Sequence, residues 1–182
     1  MPDYLKTSRL RLRSMGPEDA QAIFTYRNDP RCYRFQRWED TSLDAVKAMI
    51  AEFGADVFLS RKPEQHYAIT TLDGTLVGDM AYFDTDKDNC VTLGITISPA
   101  FQGQGCAFEL LTAVCDAIQA RHPGMDIVAL IDKENKPSLS LFEKLGFCRE
   151  CYAESIASFV YVKARISQSA AAAQSCPEEP GE

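Results

Sequence analysis

The chain has 182 residues, of which 46% are hydrophobic and 25% charged, and its formal net charge is −7 at pH 7. This length and hydrophobic content suit one domain with its own core, and the negative charge argues against nucleic acid as a partner while permitting basic peptides or amines. No apolar run reaches membrane-spanning length and no charged-then-apolar leader begins the chain, so we expect a cytoplasmic protein without a membrane partner.

Hydrophobic periodicity and turn signals divide the chain into predicted strands and helices. The alternation over Thr7–Arg13 indicates an edge strand that directs Leu10 and Leu12 inward, and Asp73-Gly74 favours the tight turn of a hairpin. The predicted elements are a strand at 7–13, helices at 17–28 and 41–54, strands at 66–72, 75–83 and 90–98, a helix at 107–121, a strand at 126–132, a helix at 136–145, and strands at 147–153 and 156–165.

The order β-α-α-β-β-β-α-β-α-β-β predicts an α/β (mixed α+β) fold with a mixed, mostly antiparallel sheet and helices on both of its faces. We expect residues 1–166 to form this single domain. Residues 167–182 contain an alanine run with Pro, Glu and Ser but no periodicity, which predicts a disordered C-terminal tail.

The seven cysteines show no metal-binding arrangement. Cys148-Arg-Glu-Cys151 is a Cys-x-x-Cys pattern, but it lies on a predicted strand, where an offset of three directs the two side chains to opposite faces. No second pair completes a zinc site. We therefore expect no metal, and free thiols in a reducing compartment.

A glycine-punctuated turn, Gln102-Gly-Gln-Gly-Cys-Ala107, joins the strand at 90–98 to the helix at 107–121. Pro99 ends the strand because it lacks an N–H donor for the ladder. This order of elements (strand, glycine-rich turn, helix) directs free backbone N–H groups and the positive end of the helix dipole at one point. Phosphate groups bind well at such a point. Glycine also lets a ligand approach the backbone closely.

Three phosphate-bearing ligands are compatible with such a turn. A mononucleotide loop requires Lys-Ser/Thr after the second glycine, where this chain has Cys106-Ala107. A dinucleotide fingerprint requires a third small residue, but this chain has Phe108 there, and the fingerprint normally lies at the start of its domain, whereas about ninety residues precede this turn. In its favour, Asp132 follows at the distance of a ribose-binding acid. The third ligand is the pyrophosphate of coenzyme A.

Two motifs resemble those of the GNAT superfamily of N-acetyltransferases. Gln-x-x-Gly-x-Ala at 102–107 is similar to its acyl-CoA signature, and Asn135-Lys-Pro-Ser-Leu-Ser-Leu-Phe-Glu-Lys-Leu-Gly-Phe147 is similar to its second signature. The resemblance covers about 5–166. Within it, Thr7–Arg13, Asn28-Asp-Pro30 and the aromatic-Gln-x-Trp at 35–38 resemble the ribosomal-protein-alanine (RimJ/RimL-like) branch.

The resemblance implies an N-acetyltransferase that moves an acetyl group from acetyl-CoA directly to a primary amine. The acceptor is either a protein N-terminus or a small-molecule amine, and the enzyme is a monomer or a homodimer. For the cofactor, the resemblance implies backbone pairing of the pantetheine arm with the signature strand, a pyrophosphate held by the turn, and a side-chain contact from the Asn of the second signature. The implied cofactor-binding residues are Ile95, Ile97, Gln102, Gly103, Gln104, Gly105, Cys106, Ala107 and Asn135.

The resemblance also implies roles around the reacting atoms. Ser138 is the expected general acid, because Phe142 stands where many relatives have a Tyr, and Ile95 is expected to offer its N–H to the thioester oxygen. The acceptor pocket is expected to be walled by three residues, Phe35, Gln36 and Trp38.

The general base stays open, because Thr92 stands where relatives often carry a Glu. The remaining candidates are Asp132, Glu39, His66 or a chain of water molecules. An α-amine, with a pKa of about 8, needs less help from a base than a lysine, which favours a protein N-terminus. Phe142 and Thr92, which replace the Tyr and the Glu of relatives, also support an alternative function: a catalytically inactive acyl-CoA-binding module.

Overall fold

The structure is a computed structural model that describes residues 3–36, 38, 40–53, 58–60, 62–85 and 89–165. The predicted tail at 167–182 and the candidate base Glu39 lie outside these residues. The strands of the structure are β1 (Asp3–Lys6), β2 (Leu10–Ser14), β3 (Glu64–Thr71), β4 (Leu76–Thr85), β5 (Cys90–Ile97), β6 (Asp126–Asp132), β7 (Cys148–Ala153) and β8 (Ser158–Lys163). Its helices are α1 (Ala20–Arg27), α2 (Pro30–Tyr33), α3 (Leu43–Phe53), α4 (Cys106–Arg121) and α5 (Lys136–Lys144).

These strands form one sheet in the order β1-β2-β3-β4-β5-β6-β8-β7. β5 and β6 pair in parallel, joined through α4, and each of the other neighbouring strands pairs antiparallel. The prediction of an α/β fold with a mixed, mostly antiparallel sheet is confirmed.

Two hydrophobic clusters cover the two faces of the sheet, so helices lie on both faces, as predicted. The larger cluster lies between the sheet and helices α4 and α5, and includes the fully buried Leu111 and Phe147. Leu10 and Leu12, 1% and 0% exposed, lie in this cluster, so the predicted inward direction of both side chains is confirmed. The smaller cluster packs α1, α2 and α3 on the other face.

Two short elements near the N-terminus were not predicted. Residues 3–6 form β1 at the edge of the sheet, so the strand predicted at 7–13 is β2 and lies between β1 and β3. The prediction that it is an edge strand is wrong. The other element is α2, which Asp29 begins by accepting a hydrogen bond from the backbone N–H of Arg31 at 2.9 Å. Four-residue elements carry too little periodicity to be recognised in a sequence.

The six cysteines that the structure describes follow the prediction of free thiols with one exception. Free thiols are present at Cys32, Cys90, Cys106, Cys115 and Cys151. Cys148 is disulfide-bonded, so the prediction is wrong for that residue. Within the described residues, no group of three or more His, Cys, Asp or Glu side chains is placed to hold a metal ion. No helix in the described part of the chain combines the length and apolar character that crossing a membrane requires.

Candidate functional site

The sheet opens where β5 and β6 diverge. The two strands pair over only three residues, from Cys90–Asp126 to Thr92–Val128, although β5 continues to Ile97. The backbone N–H of Ser98 donates to Val77 of β4 at 2.8 Å. Because successive residues direct their backbone groups to opposite edges of a strand, those of Ile95 and Ile97 face away from β4, toward the opening.

The glycine-rich turn lies at the end of β5 and leads into α4. Gly103 and Gly105 have φ values of +74° and +79°, a backbone conformation that side chains with a Cβ rarely adopt. The backbone N–H groups from Gly103 to Phe108 donate no hydrogen bond to any described residue. Six donors are therefore free at the positive end of a 16-residue helix, which is a favourable position for an anion. We call residues 102–107 the phosphate loop.

Both glutamines of the phosphate loop turn their side chains back onto nearby backbone. Gln102 Nε2 donates to the carbonyl oxygen of Ile97 at 2.9 Å, and Gln104 Nε2 donates to that of Ala100 at 2.7 Å. Neither side chain supplies a positive charge. Their hydrogen bonds fix the loop backbone, so that anion binding depends on the N–H groups.

A cavity of about 570 Å³ joins the opening of the sheet to the phosphate loop. It is lined by eleven of the thirteen predicted site residues: Phe35, Gln36, Ile95, Ile97, Gln102, Gly103, Gly105, Cys106, Ala107, Asn135 and Ser138. The other two, Gln104 and Trp38, do not line it. A cavity of this volume is in the range of small-molecule and cofactor sites.

Asn135 and Ser138 begin helix α5 on one wall of the cavity. The Oδ1 atom of Asn135 accepts a hydrogen bond from the backbone N–H of Ser138 at 3.3 Å, so Asn135 is the N-cap of α5. This leaves its side-chain NH2 group available to a ligand. The hydroxyl of Ser138 has no hydrogen-bond partner among the described residues, and it is half-buried. Both side chains are therefore positioned to act on a molecule in the cavity.

The opposite wall is formed by α2 and the segment that follows it. Gln36 Nε2 donates to Thr96 Oγ1 at 3.1 Å, which attaches this segment to β5. Arg31 is held by Asp29 through hydrogen bonds of 2.9 and 2.7 Å, and these lower the pKa of Asp29 to about 2. Hydrogen bonds thus hold the side chains of Arg31 and Gln36 in place on this wall.

Trp38 does not line the cavity; it is partly buried and packs against the smaller hydrophobic cluster. The guanidinium of Arg27 stacks over its ring at 4.6 Å and donates to Asp79 at 3.1 Å. Asp79 also accepts a hydrogen bond from the hydroxyl of Tyr26. Burial, with the Asp79 carboxylate beside it, raises the pKa of Tyr26 well above its ordinary value. The half-buried Trp38 is thus held by contact with a buried network of Tyr26, Arg27 and Asp79.

None of the side chains considered as a base lines the cavity within the described part of the chain. His66 Nε2 lies 2.8 Å from Glu64 Oε1, and the imidazole is buried between Phe53 and Phe83, 5.5 and 6.3 Å away. Asp132 accepts a hydrogen bond from the backbone N–H of Glu134 at 2.8 Å.

The sequence did not indicate several residues that complete the lining, namely Arg31, Cys32, Thr96, Phe101, Phe108, Pro137 and Leu141. Most of them are adjacent in sequence to predicted site residues, and this adjacency is the only feature of the sequence that could have indicated them. Arg31 and Cys32 lie on α2, which the sequence did not reveal.

The comparisons with known proteins agree with this geometry. The sequence profile of the acetyltransferase (GNAT) domain matches residues 9–148. A Bacillus subtilis (strain 168) protein named uncharacterized N-acetyltransferase YnaD is 22% identical over 147 residues, which are 81% of this chain and 84% of that protein.

Two solved structures have the same fold as this chain. RimL, described as a ribosomal alpha-N-protein acetyltransferase in complex with coenzyme A, has a TM-score of 0.74 at 16% identity, over 90% of this chain and 98% of that chain. Mycobacterium smegmatis RimJ, in complex with CoA-disulfide, has a TM-score of 0.71 at 17% identity, over 85% of this chain and 81% of that chain.

Proposed function

Because the chain belongs to the GNAT acetyltransferase family, we propose that it transfers an acetyl group from acetyl-CoA directly to a primary amine. The observation that carries the proposal is the single cavity that joins the open edge of β5, the phosphate loop, and the first turn of α5. These three features would hold the pantetheine arm, the diphosphate and the thioester sulfur of one extended ligand.

In this proposal the pantetheine arm pairs with the open edge of β5. The arm takes the place of the missing partner strand and bonds the backbone groups of Ile95 and Ile97, although the Ile97 carbonyl oxygen already accepts a hydrogen bond from Gln102. The diphosphate lies over the free N–H groups of the phosphate loop. Asn135 donates its side-chain amide to the arm from the other side.

Acetyl transfer then needs a polarised carbonyl, a neutral amine and a proton for the leaving sulfur. The amine nitrogen attacks the thioester carbonyl carbon while the Ile95 N–H stabilises the developing oxyanion. As the carbon–sulfur bond breaks, the Ser138 hydroxyl gives its proton to the thiolate, and Ser138 is reprotonated through solvent from the attacking amine. The described residues of the cavity wall supply no base, so in this proposal the amine arrives already neutral.

Direct transfer is supported by the state of Cys32, one of the two thiols that line the cavity, the other being Cys106 in the phosphate loop. Burial raises the pKa of Cys32 to about 11, with further contributions from Asp29 and Asp79. A thiol with this pKa is protonated at neutral pH and is a poor nucleophile. Acetyl-CoA alone should therefore leave no acetyl group on Cys32, which mass spectrometry of the peptide containing this residue measures.

A protein N-terminus is the acceptor that we propose. An α-amine has a pKa of about 8 and is partly neutral at pH 7, which suits a cavity whose described lining residues include no base. RimL, whose description names an alpha-N-protein acetyltransferase, shares the fold. A small-molecule amine remains the second class of acceptor to be tested.

The test is release of free coenzyme A from acetyl-CoA in the presence of an amine panel. The panel compares a peptide with a free α-amine, the same peptide with a blocked N-terminus and one lysine, and small amines. Turnover with the first peptide is expected. Loss of a positioned proton donor typically lowers the rate roughly 10²–10⁴-fold, so kcat of Ser138→Ala should fall by at least about tenfold.

Ser140→Ala is the matched control, because Ser140 is exposed on the same helix and does not line the cavity. It should retain the native kcat. A Ser138→Ala variant with the native kcat would remove Ser138 from the proposed mechanism.

The second candidate function is an acyl-CoA-binding module without catalysis. Phe142 favours it, because this residue is 3% exposed and packs against Phe147 at 5.0 Å in the core, where it cannot act as an acid. Binding of acetyl-CoA without turnover on any amine of the panel would support this candidate over the enzyme.

A further inference from the structure

The cavity assigned to acetyl-CoA has little positive charge on its walls. Arg31 is the one charged side chain among the described residues that line it, and Asp29 neutralises its guanidinium. Coenzyme A carries a diphosphate and a 3′-phosphate. A cation that meets these phosphates must therefore come from beside the cavity.

Arg9, in the turn between β1 and β2, lies beside the phosphate loop. Its Nη1 donates to the carbonyl oxygen of Gln104 at 3.1 Å, and its Nε donates to Glu109 Oε2 at 2.6 Å. Its Nη2 is 3.5 Å from the position that a Cβ would take on Gly105, which lines the cavity. The Arg9 side chain is 52% exposed, so a ligand at the loop can reach it.

The ion pair with Glu109 does not use the whole guanidinium. Glu109 Oε1 also accepts hydrogen bonds from Thr7 Oγ1 at 2.6 Å, Ser8 Oγ at 3.0 Å and the backbone N–H of Arg9 at 2.9 Å. Burial raises the pKa of Glu109, but these hydrogen bonds together outweigh it and lower the pKa to about 2. The Glu109 carboxylate is thus stabilised by several hydrogen-bond donors of the protein. Arg9 Nη2, in contrast, has no hydrogen-bond partner among the described residues.

Arg9 lies at the N-terminus of α4, which is the positive end of the helix dipole. Positive groups at a helix N-terminus oppose the helix dipole, whereas anions are favoured there. Glu109 compensates for the guanidinium in the ligand-free chain. An anion over the free N–H groups would interact favourably with the helix end and with Nη2 together.

We propose that Arg9 is a coenzyme A-binding residue, whose Nη2 donates a charge-assisted hydrogen bond to the diphosphate held by the phosphate loop. Such bonds are shorter and stronger than neutral ones. The planar guanidinium can keep Nε on Glu109 and Nη1 on Gln104 while Nη2 reaches the ligand. This inference rests on the proposed function, because it requires coenzyme A in the cavity. It gives the N-terminal hairpin a direct part in cofactor binding.

The test is calorimetric titration of the full chain with coenzyme A and with pantetheine, which lacks the phosphates. Arg9→Gln should raise the Kd for coenzyme A at least tenfold and leave the pantetheine Kd unchanged. Arg9→Lys should recover part of the loss, since an ammonium keeps the charge without the fork geometry. Arg11→Gln is the matched control, because Arg11 lies on β2 and pairs with Asp3 at 3.5 Å, and it should bind like the native chain.

Glu109→Gln separates a direct contact from a structural latch. If Arg9 contacts the diphosphate, removing the neighbouring carboxylate charge should leave the Kd for coenzyme A unchanged or lower it. If Arg9 only fastens the loop to β1–β2, Glu109→Gln should weaken binding as much as Arg9→Gln does, and the inference is overturned. A native Kd in Arg9→Gln also overturns it. Absence of coenzyme A binding to the native chain instead contradicts the proposed function itself, and the inference falls with it.

Discussion

Two glycines with the same backbone conformation allow the role of the phosphate loop in ligand binding to be separated from its effect on the stability of the fold. Gly105 and Gly146 have φ values of +79° and +81°. A Cβ on either would lie 3.5 Å from one side-chain nitrogen, Arg9 Nη2 and Lys163 Nζ respectively. Gly105 lines the cavity and Gly146 does not.

Alanine at either position should be destabilising by a similar amount. The left-handed conformation costs an L-residue roughly 1–2 kcal/mol. For a chain of this size, each kcal/mol lowers Tm by about 2–4 °C, so both variants should lose about 2–8 °C. Differential scanning calorimetry measures this loss.

Only Gly105→Ala should weaken the binding of acetyl-CoA. Gly105 lines the cavity, so a Cβ there would also hold the diphosphate away from the loop N–H groups. Loss of one hydrogen bond to a charged group costs roughly 1.5–3 kcal/mol, which is an increase in Kd of about 10–150-fold. Gly146→Ala should keep the native Kd in the same titration. Equal loss of affinity in both variants, or a native Kd in Gly105→Ala despite a lower Tm, would refute the assignment of the loop.

Further predictions concern charges away from the reacting atoms. The pKa of Glu109 is lower in the folded chain than its ordinary value, so its ionised form stabilises the fold above the ordinary carboxyl pKa, and this stabilisation is lost as pH falls toward about 2. Urea unfolding should therefore show Glu109→Gln less stable than the native chain at pH 7, with a difference that shrinks below about pH 4.5; a constant difference would contradict this. Asp79→Asn leaves the buried Arg27 without its counter-ion and should cost about 3–5 kcal/mol in the same assay; a loss below about 1 kcal/mol would show that the pair is not required.

The sequence predicted most of the candidate site because its residues lie in two continuous motifs. The phosphate loop requires left-handed glycines between a strand and a helix, and this requirement is visible in the order of residues at 102–107. In the same way, Asn135 at the start of a helix is a local signal.

Residues that reach the site through tertiary contacts could not be predicted. Arg9 meets the loop across about a hundred residues of chain, through Glu109 and Gln104. Trp38 shows the reverse case. Phe35 and Gln36, which precede it in the chain, line the cavity, but the half-buried indole stacks on Arg27 and packs against the smaller hydrophobic cluster instead.

The central claim is that one cavity holds acetyl-CoA along the open edge of β5 and over the phosphate loop. Amide hydrogen exchange with and without acetyl-CoA tests it most directly, because the unpaired N–H groups of Ile95 and of Gly103–Phe108 exchange through solvent unless a ligand bonds them. We predict slower exchange at these amides on addition of acetyl-CoA, with little change in β7 and β8. Unchanged exchange at the loop, or protection confined to another part of the chain, would contradict the account.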